Sequence, residues 1–206
     1  MSTSIAPNSS PPLSSGYDFD RARTEWAKPP FDNIGYLSSA EVFNRAPDGL
    51  RALIVECERN RYALANTDGL CRNHANRWRE SLGLDSTRGK RILDFGCGIG
   101  LEALQFARMG NRVVLADIAP DNLRLARRVL EVFGVPCEGT VLVAGEPPFF
   151  ATQGQFDIFY SNGVLHHTPR IRDILTRAHK VLSPGGEARL MLYSDKAWTH
   201  WVGGAL

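Results

Sequence analysis

The chain has 206 residues, enough for one hydrophobic core, since domains most often run to about 100–150 residues and seldom split below about 250. With 43% hydrophobic and 22% charged residues, its composition is that of a soluble globular protein rather than a disordered or membrane-embedded one. A net charge of +2 argues against nucleic acid or an anionic membrane as partner, because both need a concentrated basic patch.

Cys57, Cys71, Cys97 and Cys137 form no C-x-x-C pair, a spacing that favours free thiols over disulfides or a zinc site. No apolar run reaches the roughly 20 residues needed to span a bilayer, and the N-terminus lacks a signal-peptide pattern. A cytoplasmic protein is expected.

Residues 1–16 are rich in Ser and Pro and are expected to form a flexible tail, since they carry too little apolar surface to offset the entropy of ordering. Residues 17–89 read as a mostly helical N-terminal extension. Aromatic residues precede a helix with Leu50, Leu53, Ile54 and Cys57 on one face, and a further helix is expected around Ala75 to Leu82.

From residue 90 onward strands and helices alternate. Arg91 to Phe95 is a short apolar strand before a glycine turn, Leu101 to Met109 is helical, and Arg112 to Ala116 is a β-branched second strand. Pro120 suits the first turn of a helix with Leu123, Ala126, Val129, Leu130 and Phe133 on one face, ended by Gly134. Thr140 to Ala144 and Phe156 to Tyr160 read as the third and fourth strands. A helix through Ile171, Ile174, Leu175, Ala178, Val181 and Leu182 follows, then a turn at Ser183-Pro184-Gly185-Gly186 and a fifth strand from Glu187 to Tyr193. This alternation predicts an α/β fold: a doubly wound, mostly parallel Rossmann-like sheet of five recognisable strands with helices on both faces.

In such a sheet a ligand sits beyond the carboxyl ends of the strands, where the strand order reverses. The run Asp94-Phe95-Gly96-Cys97-Gly98-Ile99-Gly100 falls there. Its glycines spell G-x-G-x-G, whereas the dinucleotide fingerprint G-x-G-x-x-G would need glycine where Leu101 stands. Asp117 ends the second strand about 20 residues further on, where a carboxylate can accept hydrogen bonds from a ribose diol.

The D-x-G-x-G-x-G run resembles motif I of the class I S-adenosylmethionine (SAM)-dependent methyltransferases. Phe156-Asp157-Ile158-Phe159-Tyr160-Ser161-Asn162-Gly163-Val164-Leu165-His166-His167 is similar to motif IV of their small-molecule branch, and Val181-Leu182-Ser183-Pro184-Gly185-Gly186 to the turn that follows it. The resemblance implies SAM as cofactor and a small-molecule acceptor methylated at O, N or C. It implies cofactor contacts from Asp94, Gly96, Cys97, Gly98, Gly100 and Asp117, from Ile118 on the adenine face, from Glu146 near the adenine amino group, and from Asn162 at the methionine end. Asn162 is not followed by Pro-Pro-aromatic, which disfavours methylation of nucleobase or glutamine amino groups.

His166 and His167 are the candidate bases, since an imidazole with an ordinary pKa of about 6.5 is poised to take a proton. Adjacent side chains point apart, so at most one faces the acceptor and the other packs under the loop. His74, His179 and His200 have no partner at metal-ligand spacing. Relatives of this family carry seven strands, and residues 194–206 are too few for another helix and two strands. The core over residues 90–206 is therefore expected to stop after its fifth strand, leaving an edge for the N-terminal segment or a homodimer partner to cover. The rival readings are a non-catalytic SAM-binding or partner-binding module and a nicotinamide-dependent oxidoreductase.

Overall fold

The computed structural model describes residues 19–27, 38–63, 79–143 and 154–192. Three helices come first: α1 (Phe19–Trp26), α2 (Ser39–Phe43) and α3 (Pro47–Ala63). Ser38 and Glu41 close a reciprocal capping box at the start of α2, which satisfies amide donors the helix itself leaves free. Of the helix expected around Ala75 to Leu82, residues 79–82 are described and are helical.

The sheet follows: β1 (Arg91–Phe95), α4 (Leu101–Arg108), β2 (Arg112–Asp117), α5 (Pro120–Val132), β3 (Gly139–Leu142), β4 (Phe156–Asn162), α6 (Ile171–Val181) and β5 (Leu182–Met191). Strand order is β3-β2-β1-β4-β5, and every pairing is parallel. The order reverses between β1 and β4, so the glycine turn after β1 sits at the switch point, where a crevice opens.

Alternation along the strands sorts side chains onto two faces. Ile92, Val113, Leu115, Ile158 and Tyr160 pack with α3, α4 and α5, while Leu93, Phe95, Val114, Ala116 and Phe159 pack with Ala178 and Val181 of α6. The predicted face of α3 is buried throughout, through Leu50, Leu53, Ile54 and Cys57. Among the described residues no helix is long and apolar enough to cross a membrane.

Every strand but β1 differs from expectation at an end: β2 and β4 run on to Asp117 and Asn162, and β3 stops at Leu142. β3 begins one residue early, at Gly139. β5 begins at Leu182, so Ser183 to Gly186 lie inside it rather than forming a separate turn. The pairing is irregular there: the step from Leu182 to Glu187 faces only the step from Phe156 to Ile158. Glycine is required at the second position of the pair, since a Cβ on Gly186 would stand 2.9–3.1 Å from the carbonyl oxygens of Ser183, Asp157 and Phe156. Leu182, expected on the α6 face, accordingly opens β5.

Candidate active site

The turn after β1 is fixed from beneath. The Gly96 and Cys97 amides both donate to the Ala116 carbonyl, at 2.7 and 3.0 Å, and the Gly100 amide donates to the Cys97 carbonyl at 2.8 Å. All three glycines take positive φ, at 76°, 52° and 83°, a region that L side chains avoid. They differ in what surrounds them. A Cβ on Gly96 would meet the Val164 methyls at 2.4 and 2.6 Å, and one on Gly100 would meet Ala126 Cβ at 2.9 Å. Gly98 has nothing within 4 Å among the described residues. Gly96 and Gly100 are thus small for the fold's own packing, and Gly98 presents bare backbone to open space. Cys97 is buried, and burial pushes its thiol well above the usual range.

Asp117 locks this turn to the next helix. One carboxylate oxygen accepts from the Gly98 amide at 2.9 Å, and the other accepts from the Ala119 amide at 2.8 Å and the Asn122 side chain at 3.1 Å. The residue is only 5% exposed. Burial raises its pKa, opposed by these N–H donors. Ile118 is half-buried, and its carbonyl accepts from Arg23 Nε of α1 at 3.2 Å.

A cluster of buried polar groups lies on the α3 and α4 side of the β1 and β4 ends. Asp94 and Tyr160 are direct partners in the β1–β4 register, and strand alternation puts Asn162 on the same face as Tyr160. Glu102, in the first turn of α4, accepts from Asn162 Nδ2 at 3.2 Å and pairs with Arg61 of α3 at 2.7 Å. Asp94 Oδ2, Asn162 Oδ1 and the Tyr160 hydroxyl are buried with no hydrogen-bond partner among the described residues. Buried polar groups are nearly always paired, so several orphans together mark a place where a polar ligand or water belongs. Burial, with the carboxylates of Glu102 and Asp117, holds the Asp94 pKa well above the usual carboxylate range.

The segment after β4 returns to the turn. Val164 packs on Gly96, and a short 3-10 turn, Leu165–His167, follows. His166 is half-buried and His167 exposed; their ring centroids are 4.0 Å apart. Burial lowers the pKa of both, and the charge of His167 further lowers that of His166.

The structure therefore gathers Asp94, Gly96, Cys97, Gly98, Gly100, Asp117, Ile118, Asn162, His166 and His167 around the carboxyl ends of β1, β2 and β4. Glu146 lies outside the described residues, as do His74 and His200. His179 is exposed on α6, away from this group. Sequence reading missed Glu102, Arg61 and Tyr160, and underread Asp117, whose loop-fixing bonds depend on the folded turn. Glu102 did leave a signal: it shares a helix face, at i and i+4, with the buried Phe106.

Residues 92–186 match a family model described as a methyltransferase domain. A protein of Methylobacterium sp. (strain 4-46) described as ubiquinone biosynthesis O-methyltransferase is 32% identical over 125 residues, covering 58% of this chain and 46% of that protein. One of the same description from Rhizobium etli (strain CIAT 652) is 36% identical over 99 residues, covering 48% of this chain and 39% of that protein. The chain thus spans less than half the length of these curated relatives. A solved structure concerned with conversion of a disulfide bond into a thioacetal group during echinomycin biosynthesis aligns with a TM-score of 0.51 at 26% identity, covering 62% of this chain and 54% of that one. The glycine turn at the sheet's switch point lies within the stretch that is similar to a methyltransferase domain.

Proposed function

We propose that this domain binds SAM across the Asp94 to Gly100 turn and transfers its methyl group to an oxygen of a small-molecule acceptor. The observation that carries the reading is the bare backbone of Gly98 at the switch point, together with buried polar atoms at the ends of β1 and β4 that have no hydrogen-bond partner among the described residues. When bound, SAM supplies a methyl carbon on a positive sulfonium, so displacement by an acceptor oxygen breaks the C–S bond and releases neutral S-adenosylhomocysteine.

The chain's own residues hold and orient. Asp117 pins the turn and has at most one lone pair left for a ribose hydroxyl, while Ile118 and Glu146 would hold the adenine. Asp94, Glu102 and Asn162 face the amino-acid end, where Asp94 gains a cationic partner for its orphaned oxygen and Arg61 a carboxylate. His166, the more enclosed imidazole, accepts the proton that the acceptor hydroxyl loses. Holding nucleophile and methyl in line supplies about 7–11 kcal/mol of the barrier. Preference for oxygen is supported by the O-methyltransferase relatives.

The test is formation of S-adenosylhomocysteine from SAM with a panel of hydroxylated and amino acceptors. The reading expects hydroxyl-dependent turnover that falls at least tenfold in His166→Gln with SAM affinity unchanged. SAM binding without turnover on any acceptor would favour the non-catalytic module instead.

A further inference from the structure

A buried chain of hydrogen bonds leads from the N-terminal helices to the carboxylate beside the cofactor turn. Its members are Ser39, the first residue of α2, Asn122, in the first turn of α5, and Asp117, and all three are buried. The Ser39 hydroxyl donates to Asn122 Oδ1 at 2.7 Å. The Asn122 side-chain amide donates to Asp117 Oδ1 at 3.1 Å and to the Trp26 carbonyl, at the end of α1, at 2.9 Å. The direction of donation is fixed, because a carboxylate and a backbone carbonyl only accept. Both Asn122 amide protons are committed to them, and its oxygen faces the Ser39 hydroxyl. The Ser39 amide in turn donates to the Ala27 carbonyl at 3.1 Å, which ties the start of α2 to the end of α1.

These bonds bear on how the Asp117 carboxylate is turned. Oδ1 accepts from the Ala119 amide and from Asn122, so both of its lone pairs are used, while Oδ2 accepts from the Gly98 amide and keeps whatever capacity the group has left. A carboxylate rotates easily about its last bond, since that torsion has no sharp staggered wells. Donors on both oxygens hold it at one angle. Of the three, Asn122 alone is a side chain, and it keeps its place because Ser39 and the Trp26 carbonyl hold it. A hydroxyl at a fully buried site costs free energy unless it is bonded, and the Ser39 hydroxyl is bonded to Asn122.

We propose that Asn122 and Ser39 are positioning residues for the cofactor's ribose: they act through Asp117, setting the angle at which Oδ2 meets a ribose hydroxyl. The proposal rests on the reading of Asp117 as a ribose ligand given above. It makes cofactor affinity depend on how α1 and α2 dock, although Ser39 lies before the matched stretch 92–186. By linkage, a ribose held by Asp117 stabilises that docking in return.

The test measures, by calorimetry on the full chain, the affinities of S-adenosylhomocysteine and of its analogue lacking both ribose hydroxyls, and takes their ratio. A substitution that merely loosens the fold weakens both ligands alike and leaves the ratio unmoved, whereas one that frees Asp117 to turn lowers it. The parent should prefer the hydroxylated ligand by about tenfold or more. Ser39→Ala and Asn122→Leu should each lower that preference by about threefold or more, and the double variant should lower it no further than Asn122→Leu, since Ser39 acts through Asn122. A preference as high as the parent's in either variant, or independent losses that multiply in the double variant, would overturn the proposal alone. A parent with no preference would overturn the ribose role of Asp117 and this proposal with it. Should Asn122→Leu fail to fold, Ser39→Ala decides. Should both fail, hydrogen exchange of the Ser39 amide in the unsubstituted protein decides: S-adenosylhomocysteine should slow it more than the analogue does at equal saturation, and equal slowing would overturn the proposal.

Discussion

Replacing the three glycines of the cofactor turn by alanine, one at a time, separates what the fold needs from what the ligand needs. Each substitution forces a Cβ into positive φ, between 52° and 83°, at a cost of about 1–2 kcal/mol. At Gly98 that is the whole cost, since nothing among the described residues stands within 4 Å. At Gly100 the new methyl lies 2.9 Å from Ala126 Cβ and 3.1 Å from its Cα, in the buried face of α5, and overpacking adds about 1–3 kcal/mol. At Gly96 it meets both Val164 methyls, and a β-branched side chain has few other rotamers to move to, so a similar penalty applies. Urea unfolding should therefore place Gly96→Ala and Gly100→Ala about 2–5 kcal/mol below the parent and Gly98→Ala within about 2 kcal/mol of it. Calorimetry should show Gly98→Ala folded but at least tenfold weaker for SAM. A Gly98→Ala protein as unstable as Gly100→Ala, or one binding SAM like the parent, would refute the reasoning.

Asp117→Ala leaves the Gly98 and Ala119 amides and the Asn122 side chain without their acceptor; at about 1–3 kcal/mol for each buried orphan it should destabilise by at least about 3 kcal/mol. It should also weaken SAM by about 1–3 kcal/mol, and an unchanged urea midpoint would contradict this role. Asp94, whose pKa in the fold is raised by burial, is neutral in both states below about pH 4 and costs stability as pH rises and the unfolded chain ionises. Asp94→Asn should therefore stabilise the ligand-free protein at pH 7 but not at pH 3.5, while weakening SAM; chemical denaturation at the two pH values checks the sign. His166 and His167 are held below the ordinary imidazole pKa, so the rate of S-adenosylhomocysteine formation should rise with pH with its midpoint below about 6.5. A plateau reached only above pH 7.5 would exclude them as the base.

The alternation of β-branched runs with amphipathic helices made the sheet legible, because burial on two faces leaves its mark in each strand. The glycine turn and Asp117 were legible for the same local reason: a tight turn and a carboxylate at a strand end sit close in sequence to the elements that place them. The start of β5 was not, because Gly186 passes β4 at a distance set by another strand's carbonyls, which no local pattern records. Arg61 and Trp26 were hidden for a related reason. Each reaches the site only because α3 and α1 pack against elements far along the chain, as the Arg61–Glu102 pair and the Trp26–His167 contact show.

The account's central claim is that the turn from Asp94 to Gly100 holds SAM. Side-by-side calorimetric titration of the full chain with SAM, S-adenosylhomocysteine and NAD tests it most directly. The account predicts one-to-one binding of SAM and S-adenosylhomocysteine, abolished or strongly weakened in Gly98→Ala, with no heat from NAD. Binding of NAD without SAM would contradict it.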